Sequence, residues 1–250
     1  MRSSEDARTT LARALAVLAV FSADRPRLTL AEITRRSGLP HSTCHRIVAE
    51  LAAWGALERD DGRGFTIGLR LWELGALTPR ALSLRAAATP FMEDLYHATR
   101  QHVQLAILDG TEAVIVERRS ASDAVDIVSG IGGRLPLHCS GVGQVLLAHA
   151  GQQLFTQVID AGLERYTELT IVSARQLRAV LAQCRRQGYA TVRGERSPGV
   201  DSVATKVSGR NGQVVGALSV VVSEQSADIR SLCLAVVAAG RGISRSLGGL

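Results

Sequence analysis

Residues 29–67 carry so many start and stop signals that few folds can accommodate them. Thr29-Leu30-Ala31-Glu32 matches a capping box, in which a hydroxyl and a carboxylate each satisfy a free amide of a first helical turn. Gly38 suits the left-handed residue that ends a helix, and Pro40 cannot continue one but can open the next. The spacing predicts one helix from Thr29 to about Ser37 and a second from about His41, closed by Gly55. Residues 56–59, Asp60-Asp61-Gly62 and residues 64–67 then read as strand, Asp-Gly turn and strand. Upstream, Leu11, Leu15, Leu18 and Phe21, with Ala14, fall on one face of a helix, followed by a loop holding Asp24 and Pro26. Three helices and a hairpin are expected within the first 68 residues.

The helix opening at His41 has two unlike faces. Cys44, Ile47, Val48 and Leu51 recur at spacings of three and four and should dock on the other two helices. Ser42, Thr43, Arg46 and Glu50 are left on the opposite side. Short hydroxyls and open amides in a first turn grip phosphate or touch a base edge, and an arginine one turn later extends that surface, as in a recognition helix. The hairpin then serves as a wing, with Arg59 and Arg63 placed to reach a sugar–phosphate backbone. The candidate DNA contacts are Thr29, His41, Ser42, Thr43, His45, Arg46, Arg59 and Arg63. A three-helix domain with a solvated polar face used for protein contacts is the competing reading. The joint occurrence of capping box, Gly-Leu-Pro turn, hydroxyl pair with Arg46 and hairpin favours DNA.

Net charge does not decide between them. The 250 residues carry a formal charge of +6, almost all of it on arginine because Lys206 is the only lysine. Yet ten arginines face eight acids through Gly68, so the excess is not concentrated where the DNA contacts are expected. Apolar residues make up 46% of the chain, enough for a core in each of two domains. The longest apolar stretches, 15–21 and 232–239, fall short of the ~20 residues that span a bilayer. The polar first ten residues lack the pattern of a secretory signal, so a cytoplasmic location is expected. Cys44, Cys139, Cys184 and Cys233 form no Cys-x-x-Cys pair, which argues against a zinc ribbon or a disulfide framework.

Catalytic signatures are missing. There is no Gly-x-Ser-x-Gly elbow, no His-Glu-x-x-His and no phosphate loop ending in Gly-Lys-Ser/Thr, and Gly141-x-Gly143 has no third glycine in register. His97 and His102, five apart, read as ordinary histidines. No catalytic residue, metal or cofactor is predicted. His138 beside Cys139 points away from it in extended chain, so a nucleophile and base are not expected to meet there. A thiol redox sensor at Cys139 remains a rival, as does a small-molecule-binding module or enzyme whose N-terminal domain serves only for assembly.

The string Leu28-Thr29-Leu30-Ala31-Glu32-Ile33, then Ser37-Gly38-Leu39-Pro40, then Ser42-Thr43-Cys44-His45-Arg46, resembles the IclR (isocitrate-lyase-regulator) family of transcription factors. The likeness continues through Gly68-Leu69-Arg70-Leu71-Trp72-Glu73-Leu74-Gly75, beyond a generic DNA-binding unit. It implies a winged helix-turn-helix at 1–68, mainly α with a β-wing, a helical linker at 69–82, and an α+β, GAF-like effector-binding and oligomerisation domain at 83–250. The apolar linker, with Leu69, Leu71, Trp72, Leu74 and Leu77 ahead of Pro79, would pack on a second subunit. The partners so implied are palindromic double-stranded operator DNA, a small-molecule effector that is a carboxylic acid, and a second copy of the chain, with pairs joining as tetramers and no membrane.

The C-terminal pattern fits such a domain. Residues 83–101 read as a long helix, 103–108 and 111–117 as strands about Asp109-Gly110, 124–128 as a strand, 173–187 as a helix, 189–192 and 214–222 as strands, and 230–246 as a last helix. In the string Gly132-Gly133-Arg134-Leu135-Pro136-Leu137-His138-Cys139-Ser140-Gly141-Val142-Gly143-Gln144, a Gly-rich loop runs into a helix whose N-terminus favours an anion. The glycines alone are equally consistent with a tight turn against the sheet. By resemblance the effector contacts are Ser140, Gly141 and Val142 on this loop, Val192 and Ser202 on a second segment, and Ser219 and Val221 on the buried strand. Val192 and Val221 stand where members sensing small keto acids can carry polar groups, which favours a larger or aromatic acid.

Overall fold

The computed structural model describes residues 9–22, 24–62, 64–121, 124, 125, 127, 130–225 and 228–249. The chain divides between Pro79 and Arg80 into two compact units.

In the first unit, α1 (Thr10–Leu18), α2 (Leu30–Ser37) and α3 (His41–Trp54) enclose a small core with a three-stranded sheet of β1 (Arg27–Thr29), β2 (Leu57–Arg59) and β3 (Gly64–Ile67). The capping box forms as its sequence requires: the Glu32 amide donates to Thr29 Oγ1 at 3.3 Å, and the Thr29 amide donates to Glu32 Oε2 at 2.8 Å. The Thr29 amide and hydroxyl, both donating to Glu32 Oε2, hold that carboxyl below its usual pKa. Gly38 and Gly55 end α2 and α3 at φ +68° and +88°, a region other residues enter only with strain. Asp60 closes the wing turn by accepting from the amides of Gly62 and Gly64 at 2.9 and 2.8 Å. Val17, Ile33, Cys44, Ile47, Val48, Leu57 and Phe65 fill the core.

Two expectations need correction here. The inward face of α1 is Ala14, Val17 and Leu18, while Leu11 and Leu15 are exposed; both stripes share Ala14 and Leu18, and the fully buried Val17 decides between them. The segment before α2 is not all loop, because β1 pairs antiparallel with β3, Leu28 opposite Phe65. Three residues are too short for alternation to register. After the wing comes α4 (Leu69–Ala76), with Leu69, Trp72 and Leu74 all exposed.

The second unit begins with α5 (Pro79–Thr99), which starts four residues earlier than expected and runs through Pro90. Then follow β4 (His102–Asp109), β5 (Glu112–Arg119), β6 (Arg134–Pro136), α6 (Gly141–His149), α7 (Gln152–Asp160), α8 (Ala174–Gln187), β7 (Tyr189–Arg193), β8 (Val200–Ser208), β9 (Val214–Ser223) and α9 (Ile229–Ser246). The six strands form one antiparallel sheet in the order β6-β5-β4-β9-β8-β7. On one face α5 and α9 pack against Val103, Leu105, Val203, Leu218 and Val220. On the other, α6, α7 and α8 cover Ala106, Ala113, Ile115, Ala190, Ala204 and Ala217. Helices on both faces bury the central strands, which is why β9 reads as a continuous apolar run.

The strand expected at 124–128 is not seen among the described residues there. Ala124, Val125 and Ile127 lie outside any strand, and Asp126 and Val128 lie outside the described residues. The edge position belongs instead to β6, drawn from the Gly-rich string, with Ala113 opposite Leu135. β8, between β9 and the edge strand β7, was not anticipated either: Asp201, Ser202, Thr205 and Lys206 interrupt its apolar pattern.

Candidate nucleic-acid interface and effector site

Pro40 caps α3 without a side-chain hydrogen bond, and the first helical bond runs from the Cys44 amide to the Pro40 carbonyl at 2.9 Å. The amides of His41, Ser42 and Thr43 therefore have no acceptor within the helix, the arrangement that suits a phosphate oxygen. His41, Ser42, His45, Arg46 and Glu50 are exposed together and Thr43 is half-buried, while Cys44, Ile47 and Val48 are sealed in the core. Arg46 Nη1 donates to Glu50 Oε1 at 2.9 Å, one helical turn away. The Thr29 hydroxyl donates to Glu32 Oε2 at 2.9 Å at the start of α2. Arg59 is exposed on β2, its guanidinium 5.4 Å from the centre of the Phe65 ring. Between α3 and the hairpin lies a groove of about 390 Å³ lined by His45, Ala49, Arg59 and Phe65. Arg63, the other wing arginine, lies outside the described residues.

In the second unit, register gathers the expected effector residues. Val192, Ser202 and Val221 stand opposite one another on β7, β8 and β9, and the row continues to His102 on β4. Two residues along, Ala190, Ala204 and Ser219 form the next row, which continues to Gln104 and Arg118. Partners in a ladder share a face, and here it is the face covered by α6. The helix lies very close: a Cβ on Gly141 would stand 2.7 Å from Ser202 Oγ. Ser140 caps α6, its hydroxyl accepting from the Gly143 amide at 3.2 Å and donating to the Pro136 carbonyl at 2.6 Å. Val142 turns into the core behind. Of the seven residues expected, Val192, Ser202, Ser219 and Val221 form a floor, Gly141 rests on it, and Ser140 and Val142 hold α6 in place.

Sequence reasoning missed His102, Gln104 and Arg118. His102 and Gln104 are buried, and His102 Nε2 donates to the Val125 carbonyl at 2.6 Å. Arg118 is half-buried, and burial lowers the pKa of its guanidinium. For His102 and Gln104 the signal was within reach: in β4 this polar pair alternates with Val103 and Leu105, in a strand buried on both faces.

Beside the α6 N-terminus, Gln144 donates from Nε2 to the His138 carbonyl at 3.0 Å and to Glu195 Oε2 at 3.1 Å. Burial raises the Glu195 carboxyl from 4.5 to about 7, against the opposing pull of Gln144. Cys139 is wholly buried in the same region, and burial pushes its thiol up to about 12. A thiol held so far from ionisation is a poor nucleophile, which removes the support for a redox sensor there. His138 stacks on Tyr166 and donates to the Glu164 carbonyl at 2.9 Å. Among the described residues no cluster of His, Cys, Asp or Glu is arranged to hold a metal, and no helix is long and apolar enough to cross a membrane.

Comparison with known proteins places both units. Residues 10–61 match the IclR helix-turn-helix domain, and residues 78–245 match the C-terminal domain of bacterial transcriptional regulators of the IclR type. The HTH-type transcriptional regulator XynR of Escherichia coli K12 is 31% identical over 241 residues, covering 94% of this chain and 96% of that protein. The transcriptional repressor IclR of the same organism is 28% identical, covering 84% and 78%. Among solved structures, an IclR homolog from Microbacterium hydrocarbonoxydans in complex with 4-hydroxybenzoate superposes with a TM-score of 0.89 at 37% identity, covering 96% of this chain and 99% of that one.

Proposed function

The chain belongs to the IclR family of bacterial transcriptional regulators, and from that premise we propose that it is a repressor released or engaged by a small aromatic carboxylic acid bound on the sheet beneath α6. The observation that carries the ligand reading is the floor itself. Its rows set Val192 and Val221 beside Ser202 and Ser219, with Arg118, Gln104 and His102 at one end, so an apolar body and a charged group each find a matching surface. The 4-hydroxybenzoate held by the Microbacterium homolog supports an acid of this kind.

For the DNA side, the support is the exposed face of α3 beside the wing, with His41, Ser42, Thr43, His45, Arg46 and Arg59 as contacts from the described residues and Arg63 as the contact assigned from sequence alone. The exposed Leu69, Trp72, Leu74 and Leu77 favour residues 69–82 as a linker that packs on a second copy in a cytoplasmic homodimer, which would set two recognition helices on a palindromic operator. Pairing of dimers into tetramers belongs to the same reading. The catalytic alternative has no motif in its favour, and the regulators it resembles are not enzymes.

The test of the ligand class is a fluorescence titration of the purified protein with benzoate, 4-hydroxybenzoate, glyoxylate and pyruvate. Saturable binding of the aromatic acids alone is expected. Tight binding of glyoxylate or pyruvate with none of the benzoates would overturn it.

A further inference from the structure

The positive charge that is not concentrated in the first 68 residues has a definite place in the second unit. Residues 174–250 hold eleven basic side chains against four acids, a local excess of seven in a chain whose total is +6. Neither α8, β7 nor α9 contains an acid. Arg193, Arg230, Arg241 and Arg245 are exposed, and among the described residues no carboxylate stands within ion-pair distance of them. Asp201 and Asp228 act on Arg193 and Arg230 only from farther away.

These arginines border the open edge of the sheet, where β7 pairs with β8 alone. The Gly194 amide donates to the Val200 carbonyl at 3.0 Å, so by alternation Val192 and Ala190 also bond β8, while the main-chain groups of Tyr189, Thr191 and Arg193 point away. Gln187 Nε2 occupies the Tyr189 carbonyl at 2.8 Å, which leaves Thr191 and Arg193 open. Exposed edges are usually blunted by a lysine, a proline or a bulge, and β7 contains none of them. The groove beside this edge measures about 760 Å³, with Val180, Gln183 and Gln187 of α8 on one wall and Ile229, Leu234 and Val237 of α9 on the other. Leu234 is 77% exposed, more than any other large apolar side chain among the described residues, so that wall lacks a cover. Glu195 is the one acid in the lining, and it is buried against Gln144. A second groove of about 260 Å³, lined by Lys206 and Arg245, continues from the first through Val237 and Arg241.

We propose that the β7 edge binds an extended segment of another protein, one that alternates apolar and acidic residues, by adding it to the sheet as a further strand. Thr191 and Arg193 supply the main-chain bonds, Ile229, Leu234 and Val237 take the apolar side chains, and the arginines at the two ends meet the carboxylates. Charge selects this occupant: a second copy turned onto the same edge would bring the same uncompensated arginines together, and nucleic acid offers no apolar side chains to the α9 wall. The site uses the edge of β7 and not the face beneath α6, so it is independent of the effector reading.

The experiment titrates the full chain, by calorimetry, with a short blocked peptide of alternating glutamate and valine, with its lysine–valine counterpart, and with the glutamate peptide N-methylated at alternate residues so that it cannot pair as a strand. The glutamate peptide is expected to bind at least about tenfold more tightly than either of the others. The double variant Arg230→Glu with Arg241→Glu, changed only at exposed positions, should invert the preference between glutamate and lysine peptides. Thr191→Pro, which removes an amide that points away from β8, should weaken the glutamate peptide about tenfold. A wild type that binds no glutamate peptide, or binds the lysine or N-methylated form equally well, would overturn the proposal, as would a double variant that keeps the wild-type preference. Displacement of the peptide by scrambled duplex DNA would make the groove a polyanion site, and a lower sedimenting mass for Thr191→Pro without peptide would make its occupant a second copy; each result replaces the proposal.

Discussion

Gly141 and Ser202 are as close as helix and sheet can come: a Cβ at 141 would lie 2.7 Å from Ser202 Oγ and 3.2 Å from Ala204 Cβ. Gly141→Ala must therefore lift the start of α6 off β8. We expect a loss of roughly 1–3 kcal/mol in stability together with weakened effector binding. Ser202→Ala removes the nearer clash and should recover part of both in the double variant, with a coupling above about 0.5 kcal/mol in a double-mutant cycle. Additive losses would mean that the two do not touch.

On α3, Arg46 is paired with Glu50, and in the proposed complex that carboxylate is exchanged for DNA. Arg46→Ala should cost about 1–3 kcal/mol on operator DNA and much less on scrambled DNA. Arg59→Ala should weaken both alike and reduce the salt slope by about one. Glu50→Gln frees Arg46 and removes a charge facing phosphate, so it should tighten non-specific binding. Competition shifts at several salt concentrations distinguish these outcomes; equal losses for Arg46→Ala and Arg59→Ala on both DNAs would contradict the division.

Much of this first unit was legible because its signals are local. A capping box, two glycines with positive φ and an Asp-Gly turn depend on residues within a few positions, so α2, α3 and the wing follow from the sequence. The sheet of the second unit depends on partners far apart in the chain. Val192, Ser202 and Val221 were named from resemblance, but their alignment with His102 is a property of register. Arg118 could not be placed without knowing that the register skips Val116, because strict alternation puts Glu117 and Arg119 together yet gives no reason for the face they choose.

Glu195 gives the second unit a pH dependence. Its carboxyl ionises at about 7 in the fold and at 4.5 when free of it, so the folded state prefers the protonated form. Below pH 4.5 both states are protonated and the group costs nothing; the penalty grows between 4.5 and 7 and is complete above 7. Glu195→Gln stays neutral and still accepts from Gln144. It should be more stable than wild type at pH 8, by an amount on the order of 2–3 kcal/mol, with the gap closing at pH 4.5. Urea denaturation at the two pH values reads the difference, and a gap that widens toward low pH would be the wrong sign.

Glu117 behaves in the opposite sense. Burial alone would raise its carboxyl, but the hydrogen bonds from Arg85 and from the Arg118 amide, with the charges of Arg85 and Arg119, more than offset that and hold it low. Its contribution is complete above the ordinary carboxylate range and disappears as pH falls through the folded pKa. Glu117→Gln should destabilise by about 1–2 kcal/mol at pH 7, since Arg85 remains partly solvated, and should match wild type in acid. Because the pair ties β5 to α5, the variant should also lose part of the effector response while binding the acid normally, a split that titration and DNA binding read separately.

The central claim, that one chain joins a DNA-reading helix to an acid-binding sheet, is tested most directly by a mobility shift. Purified protein is titrated onto DNA from upstream of its own gene, with scrambled competitor at fixed salt, in the presence and absence of 4-hydroxybenzoate. The account predicts a discrete complex that survives competitor and whose midpoint moves several-fold with the acid. A complex that competitor removes entirely, across genomic fragments and with every acid of the panel, would contradict it.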